Sequence, residues 1–422
     1  MIGTIKKFLA ETFSSMEHRD FRYFICGQSI SLIGTWMQRT AQQWLVYTLT
    51  DSALLLGLLG VCQFAPMLFL SLPAGVYADR YPKKYILILT QVIQMVQALL
   101  LAALVWFGTV QYWHVFIMAA IFGLASTFEM PTRHSYFIEL VGRNNLKNAI
   151  GLNSTIVNLA KIFGPALAGI IMARLGIAFC FLINGISYIA VLFSLIKIKQ
   201  NSVSIRTTQQ NLKKEIIDGL HYIKTQKQIL YPVLMMACFG TFAMNTDVIV
   251  PVYTRLVLNQ DAQGYSFLLS CIGIGALIGS LLFSARSQRE TPHNSMLFFA
   301  LGVSVCLLCA GLTSTYFKVL LVLSLFGALS MIFLTTVNSN IQLNTTDAYR
   351  GRVMSVYSMV FIGTTPIGNF ISGIVTQYFG PKNCFYFCSL ASIIFIVVIY
   401  RAIGLKKKSI KDDDNIYVKN EV

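Results

Sequence analysis

Apolar runs of about twenty residues recur along this chain, separated in most places by short polar links. A helix rises about 1.5 Å per residue, so roughly 20 apolar residues cross the hydrocarbon of a bilayer. Each run therefore predicts one spanning helix. The runs fall at residues 21–49, 54–73, 85–106, 113–130, 148 onward, 178–196, 230–257, 264–284, 295–313, 317–337, 352–376 and 383–403. The pattern predicts an all-α integral membrane protein with 12 transmembrane helices.

The polar segment 197–228 is far longer than the other links. Within it Leu212, Ile216, Leu220 and Ile223 recur at helical spacing among charges, which predicts an interfacial amphipathic helix. The chain then divides into an N-terminal segment (1–20), a first six-helix bundle (21–196), this linker (197–228), a second six-helix bundle (229–403) and a polar tail (404–422). The tail is Lys-rich and then Asp-rich, with too little apolar surface to fold. The two bundles are related in sequence. Residues 169–176 repeat as 373–380, each copy opening and closing on glycine, at an offset of 204. The same offset carries Gly75 to Gly279. Two pseudo-symmetric bundles of six are expected, with a site between them near the bilayer midplane.

Composition agrees: 55% of the 422 residues are hydrophobic and 12% charged, where a soluble domain has about 25% charged. The net charge of +16 is unevenly placed. If both termini are cytoplasmic, 27 of the 33 Lys and Arg fall on the cytoplasmic side, as the positive-inside rule requires. The charge is thus topological and draws the basic face to anionic lipid; it does not imply a nucleic-acid partner. Lys6, Lys7 and Glu11 interrupt the N-terminus before an apolar core forms, so no cleavable signal peptide is expected. The nine cysteines lie in or beside apolar runs and read as packing residues, with no metal-ligand spacing. No nucleotide-binding loop, zinc motif or nucleophile elbow is present, so neither an enzyme nor a cofactor is predicted.

Polar groups inside the spans locate candidate function. In the first span Gln28, Ser31, Gln38 and Gln42 share roughly one helical face, which must line a cavity or pack inside a bundle. Arg39 and Asp247 each lie about 18 residues into a span that starts one half, hence at similar depth. A lone charge there costs at least about 2.5 kcal/mol. Pairing across the halves would remove that cost; local partners such as Gln42 and Gln43, or Asn245 and Thr246, are the alternative. Asp247 is the best candidate proton carrier, with Glu129 second. Lys161, with Asn153 and Asn158, is expected in the cavity wall, where a cation could meet an anionic or catecholate substrate. Asn338, Asn340 and Asn369 are candidates from the other half.

The link between the second and third runs carries Gly75, Asp79, Arg80, Lys83 and Lys84. Glycine permits close helix approach, and a carboxylate beside cations at a helix end can latch one helix to another. This pattern closely resembles the corresponding loop of the major facilitator superfamily. The blocks 34–39, 52–57, 75–84, 129–133, 164–169 and 350–355 are similar to its enterobactin-exporter-like branch of bacterial exporters. The resemblance implies a conformational latch of Gly75, Asp79, Arg80, Lys83, Lys84, Glu129, Arg133, Arg350 and Arg352. It also implies a helix-bend element of Gly164, Pro165 and Gly169 like that of antiporters, although Lys161, Ile162 and Phe163 stand where the family pattern has further glycines. The expectation is a bacterial inner-membrane secondary transporter, working as a monomer by alternating access. Export of an amphipathic small molecule, a siderophore or hydrophobic drug, against protons is expected; an importer or a non-transporting receptor is the alternative.

Overall fold

A computed structural model describes residues 14–199, 212–286, 293–346 and 349–403. Every regular element among them is helical. A short 3-10 turn, Ser14–Glu17, leads into Arg19–Thr50 (α1), Ala53–Arg80 (α2), Lys83–Trp106 (α3), Tyr112–Arg174 (α4) and Ile177–Lys197 (α5). Leu212–Thr225 (α6) precedes Lys227–Phe242 (α7), Thr246–Leu256 (α8), Ala262–Arg286 (α9), His293–Leu312 (α10), Tyr316–Leu343 (α11), Arg350–Phe379 (α12) and Pro381–Ile403 (α13). Among the described residues, ten helical stretches are long and apolar enough to cross a membrane. α1 is not among them because it carries buried Gln28, Ser31, Gln38, Thr40, Gln42 and Gln43.

Helices α1 to α5 pack on one another, as do α7 to α13. The two groups meet where α2 lies on α12, the second limb of α4 on α9, and α1 and α2 on α8. α6 falls in the expected linker and packs on α12 and α7, with Gly219 against the backbone of Arg352. Ile223 of α6 is buried and Leu220 exposed. Linker residues 200–211 and the tail 404–422 lie outside the described residues.

Two expectations are corrected. The polar link expected between the runs 113–130 and 148 onward is helical, so α4 runs 63 residues and bends at Gly142, whose φ is 71°. The polar sequence hid an apolar stripe: Tyr136, Phe137, Leu140 and Val141 bury against Phe21 and Phe24 of α1. The predicted span 230–257 is broken after Phe242. At the break the Asn245 amide donates to the carbonyl of Thr241 at 2.6 Å. Gly368 of α12 closes over it so tightly that a β-carbon there would lie 2.3 Å from that carbonyl oxygen.

The internal repeat has a structural counterpart. Gly176 and Gly380 both take positive φ, 94° and 84°, to turn the chain between consecutive helices. Their partners both lie at the seam between the groups: Gly169 meets Ser266 of α9, and Gly373 meets Ala53 and Gly57 of α2. Gly75 and Gly279 differ. Gly279 is pressed against the backbone of Ala328, whereas a β-carbon on Gly75 would meet nothing within 4 Å.

Candidate functional site between the helix groups

The centre of the seam is an ion pair. Arg39 of α1 donates through Nη2 to Oδ2 of Asp247, in the first turn of α8. The break before α8 is what places this carboxylate at a helix N-terminus, where the backbone dipole favours negative charge. Both side chains keep 23% exposure, so the pair borders space rather than being sealed in packing. The Arg39 guanidinium also lies 5.1 Å from the Trp36 ring centre and 5.3 Å from that of Phe64.

Trp36 connects this pair to Lys161. Gly164 lets the two helices touch: a β-carbon there would lie 2.5 Å from Cβ of Trp36. One turn earlier on α4, the Lys161 ammonium lies 5.4 Å from the centre of the same indole ring. Pro165 has no N–H to offer the carbonyl four residues back, which is that of Lys161. That carbonyl instead faces Gly273 of α9, where a β-carbon would approach it to 2.9 Å. Beside it Ser270 Oγ donates to the carbonyl of Ile162 at 3.0 Å. The Gly-Pro element thus leaves α4 helical and serves as a seat for α1 on one side and α9 on the other.

From this centre the seam runs to one end of the molecule. Tyr265 Oη donates to Gln43 Oε1 at 2.6 Å, and its ring stacks on Trp44. Gln377 of α12 accepts from Ser52 Oγ at 3.1 Å and from the Ala53 N–H at 2.8 Å, capping α2 from the opposite group. Asp51 and Arg255 pair at 2.7 Å at the rim. At the other end, marked by the basic links, Gly75, Gly151 and Gly351 border open space.

Several expected cavity residues are seated elsewhere. Gln38 accepts from Asn184 of α5 at 2.7 Å, and Gln42 donates to the carbonyl of Val115 of α4 at 3.4 Å. Gln28 is buried within the first group, and Asn153 shares the buried face of Ala149 and Ala160. Gln38 and Gln42 thus spend hydrogen bonds on neighbouring helices, whereas Gln28 Oε1 and Asn153 Oδ1 are buried without a hydrogen-bond partner among the described residues. Asn340 likewise donates to Thr336 in the interior of the second group. Asn369 is buried at the seam against Gly60. Asn158 and Asn338 remain partly exposed.

The latch residues divide among local contacts. Lys83 pairs with Glu139 at 2.5 Å, Lys84 donates to the carbonyl of Ile198 at 2.6 Å, and Glu129 pairs with Arg133 at 3.0 Å while accepting from Gln94 at 2.8 Å. All of these lie within the first group. Arg352 reaches Asp218 of α6 at 3.5 Å, and Arg80 and Arg350 are exposed. The side chain of Asp79 lies outside the described residues. Close approach at Gly75 is absent here because the seam is packed at the opposite end.

Glu139, Tyr265 and Gln377 escaped sequence reasoning, since each has an unremarkable polar neighbourhood in the chain, and Gln43 was named only as a local partner for Arg39, not as a bond across the seam. Gln91, Gln94 and Gln97 were also missed, although their spacing of three along an apolar span was a legible signal; all three are buried.

This all-helical membrane fold, with opposed charges held where two helix groups meet, defines a major facilitator transporter. The chain belongs to the transmembrane secretion effector family, which it matches over residues 10–418. It is 26% identical over 383 residues to the staphyloferrin A transporter of Staphylococcus aureus, covering 90% of this chain and 95% of that one. It is 22% identical over 358 residues to the enterobactin exporter of Shigella flexneri, covering 84% and 85%. The crystal structure of the nucleoside transporter NupG superposes with a TM-score of 0.75 at 13% identity, over 92% of this chain and 100% of that chain, and so shares the fold. The protein is a multi-pass membrane protein and a secondary transporter.

Proposed function

We propose that the chain is a proton-coupled exporter of an amphipathic small molecule, working as a monomer in a bacterial inner membrane with both termini cytoplasmic. Counting α4 as two crossings and adding α1 gives twelve spans in two bundles, separated by α6. The basic end is then the cytoplasmic one. The bundles rock about the seam, and the arrangement described is closed outward.

The observation that carries this reading is the Arg39–Asp247 pair, which joins the bundles and borders space. An ion pair at depth stores its attraction only while the two helices are together; parting them exposes two lone charges, each worth about 2.5 kcal/mol or more. Protonation of Asp247 removes one of those charges and so lowers the cost of opening outward. Proton binding and the open face are thereby linked, which is what coupling requires. Glu129, already held by Gln94 and Arg133, is less free to move a proton. Siderophore relatives favour a siderophore-like cargo, and a hydrophobic drug is the second class.

Proteoliposomes of the purified chain, with pyranine inside and staphyloferrin A, enterobactin or ethidium supplied, provide the test. Cargo movement that reverses when the imposed pH gradient is reversed is the expected result. Binding of these probes without any proton flux would leave a receptor instead.

A further inference from the structure

The space around Trp36 holds more positive charge than the transport reading uses. Arg39 and Lys161 both contact this one ring, at 5.1 and 5.4 Å, and Asp247 balances Arg39. With all three groups ionised, the cluster keeps one unbalanced cation at membrane depth. Its donors are not used up either: Arg39 Nε is buried without an acceptor. Among the described residues Tyr265 of α9 also reaches Arg39 and Asp247; its hydroxyl is committed to Gln43 and, neutral, it brings no counter-charge. Phe64 of α2 and Trp36 supply flat apolar walls. A surplus cation, an unsatisfied guanidinium N–H and aromatic faces together describe the place of an organic anion.

We propose that the cargo carries a carboxylate that binds over Trp36 between Lys161 and Arg39, while Asp247 keeps its place on Arg39. This deepens the transporter reading and rests on it. The charge balance explains the choice of class. A cargo carboxylate cancels the surplus cation, so binding removes a lone charge from the bilayer. A cationic cargo would add to a site that is already in surplus.

The test is calorimetric titration of the purified full chain with 4-phenylbutyrate, citrate and 4-phenylbutylamine. Both carboxylates are expected to bind and the amine not to bind. Lys161→Met should weaken carboxylate binding at least about tenfold, the worth of one charged hydrogen bond, and Lys161→Arg should restore most of it. Asp247→Asn enlarges the surplus of positive charge and should tighten carboxylate binding, a gain that misfolding cannot imitate. Amine binding equal to that of phenylbutyrate, no binding of either carboxylate, or affinities unchanged in Lys161→Met overturns the assignment. Amine-driven proton flux in proteoliposomes would sink the anion assignment and leave the transporter. Carboxylate binding without any proton flux would do the reverse.

Discussion

Gly57 of α2 and Gly373 of α12 bring two helix backbones into direct contact across the seam. A β-carbon on Gly57 would lie 2.5 Å from the carbonyl oxygen of Asn369 and 3.2 Å from Cα of Gly373. Backbone atoms cannot swing aside as a side chain can, so the helices themselves must part. Gly57→Ala is predicted to disfavour the outward-closed state, by about 1–3 kcal/mol on the scale of overpacking. Faster hydrogen exchange at the adjoining ends of α2 and α12 checks it; unchanged protection would show that the contact does not hold the state.

Arg39 and Asp247 should behave as a unit. Neutralising one leaves the other as a lone charge at depth, at a cost of about 2.5–3.5 kcal/mol. Arg39→Gln and Asp247→Asn are each predicted to lower thermal stability, and the double variant less than the sum of the two. Exchanging the residues, Arg39→Asp with Asp247→Arg, should recover stability over either single reversal. A swapped protein no better than the single reversals would mean that the pair contributes nothing as a pair.

Gln377 acts as a helix cap supplied by a different bundle. Its amide oxygen takes the first N–H groups of α2 only while α12 is docked. Gln377→Ala should weaken the closed state by about 1 kcal/mol, the usual worth of a cap, and leave the fold intact. The readout is the rate of outward opening under a fixed pH gradient, which should rise several-fold. The rim pair Asp51–Arg255 serves as the comparison. Its side chains are 69% and 41% exposed, and such pairs contribute about 0–1 kcal/mol, so Asp51→Asn should change little.

Lys83 and Glu139 test stability apart from transport. Their side chains are only 9% and 13% exposed. Removing Glu139 leaves the nearly buried Lys83 ammonium without its ion-pair partner, at about 3–5 kcal/mol. Glu139→Leu is therefore predicted to lower the melting temperature sharply, and Glu139→Leu with Lys83→Met to recover most of the loss. Equal melting of the single and double variants would place the effect outside the ion pair.

The sequence by itself determined the order of the apolar runs, the glycine-bounded repeat at 169–176 and 373–380, and the presence of Arg39, Asp247 and Lys161 within those runs. These follow from local facts: a helix of fixed rise, a bilayer of fixed thickness, and the cost of a charge between them. Only the tertiary structure decided which polar residues face the seam. Gln38 and Gln43 are equally polar and five residues apart, yet one bonds Asn184 within its own bundle and the other bonds Tyr265 across the seam. The helix axis says that both are turned inward, and which neighbour each meets depends on packing by distant residues. The break before Asp247 was hidden for the same reason. Thr241 and Asn245 look like ordinary polar positions in a span until Gly368 of a remote helix closes over them. What the chain could not write into any one segment was the partner that each segment would meet.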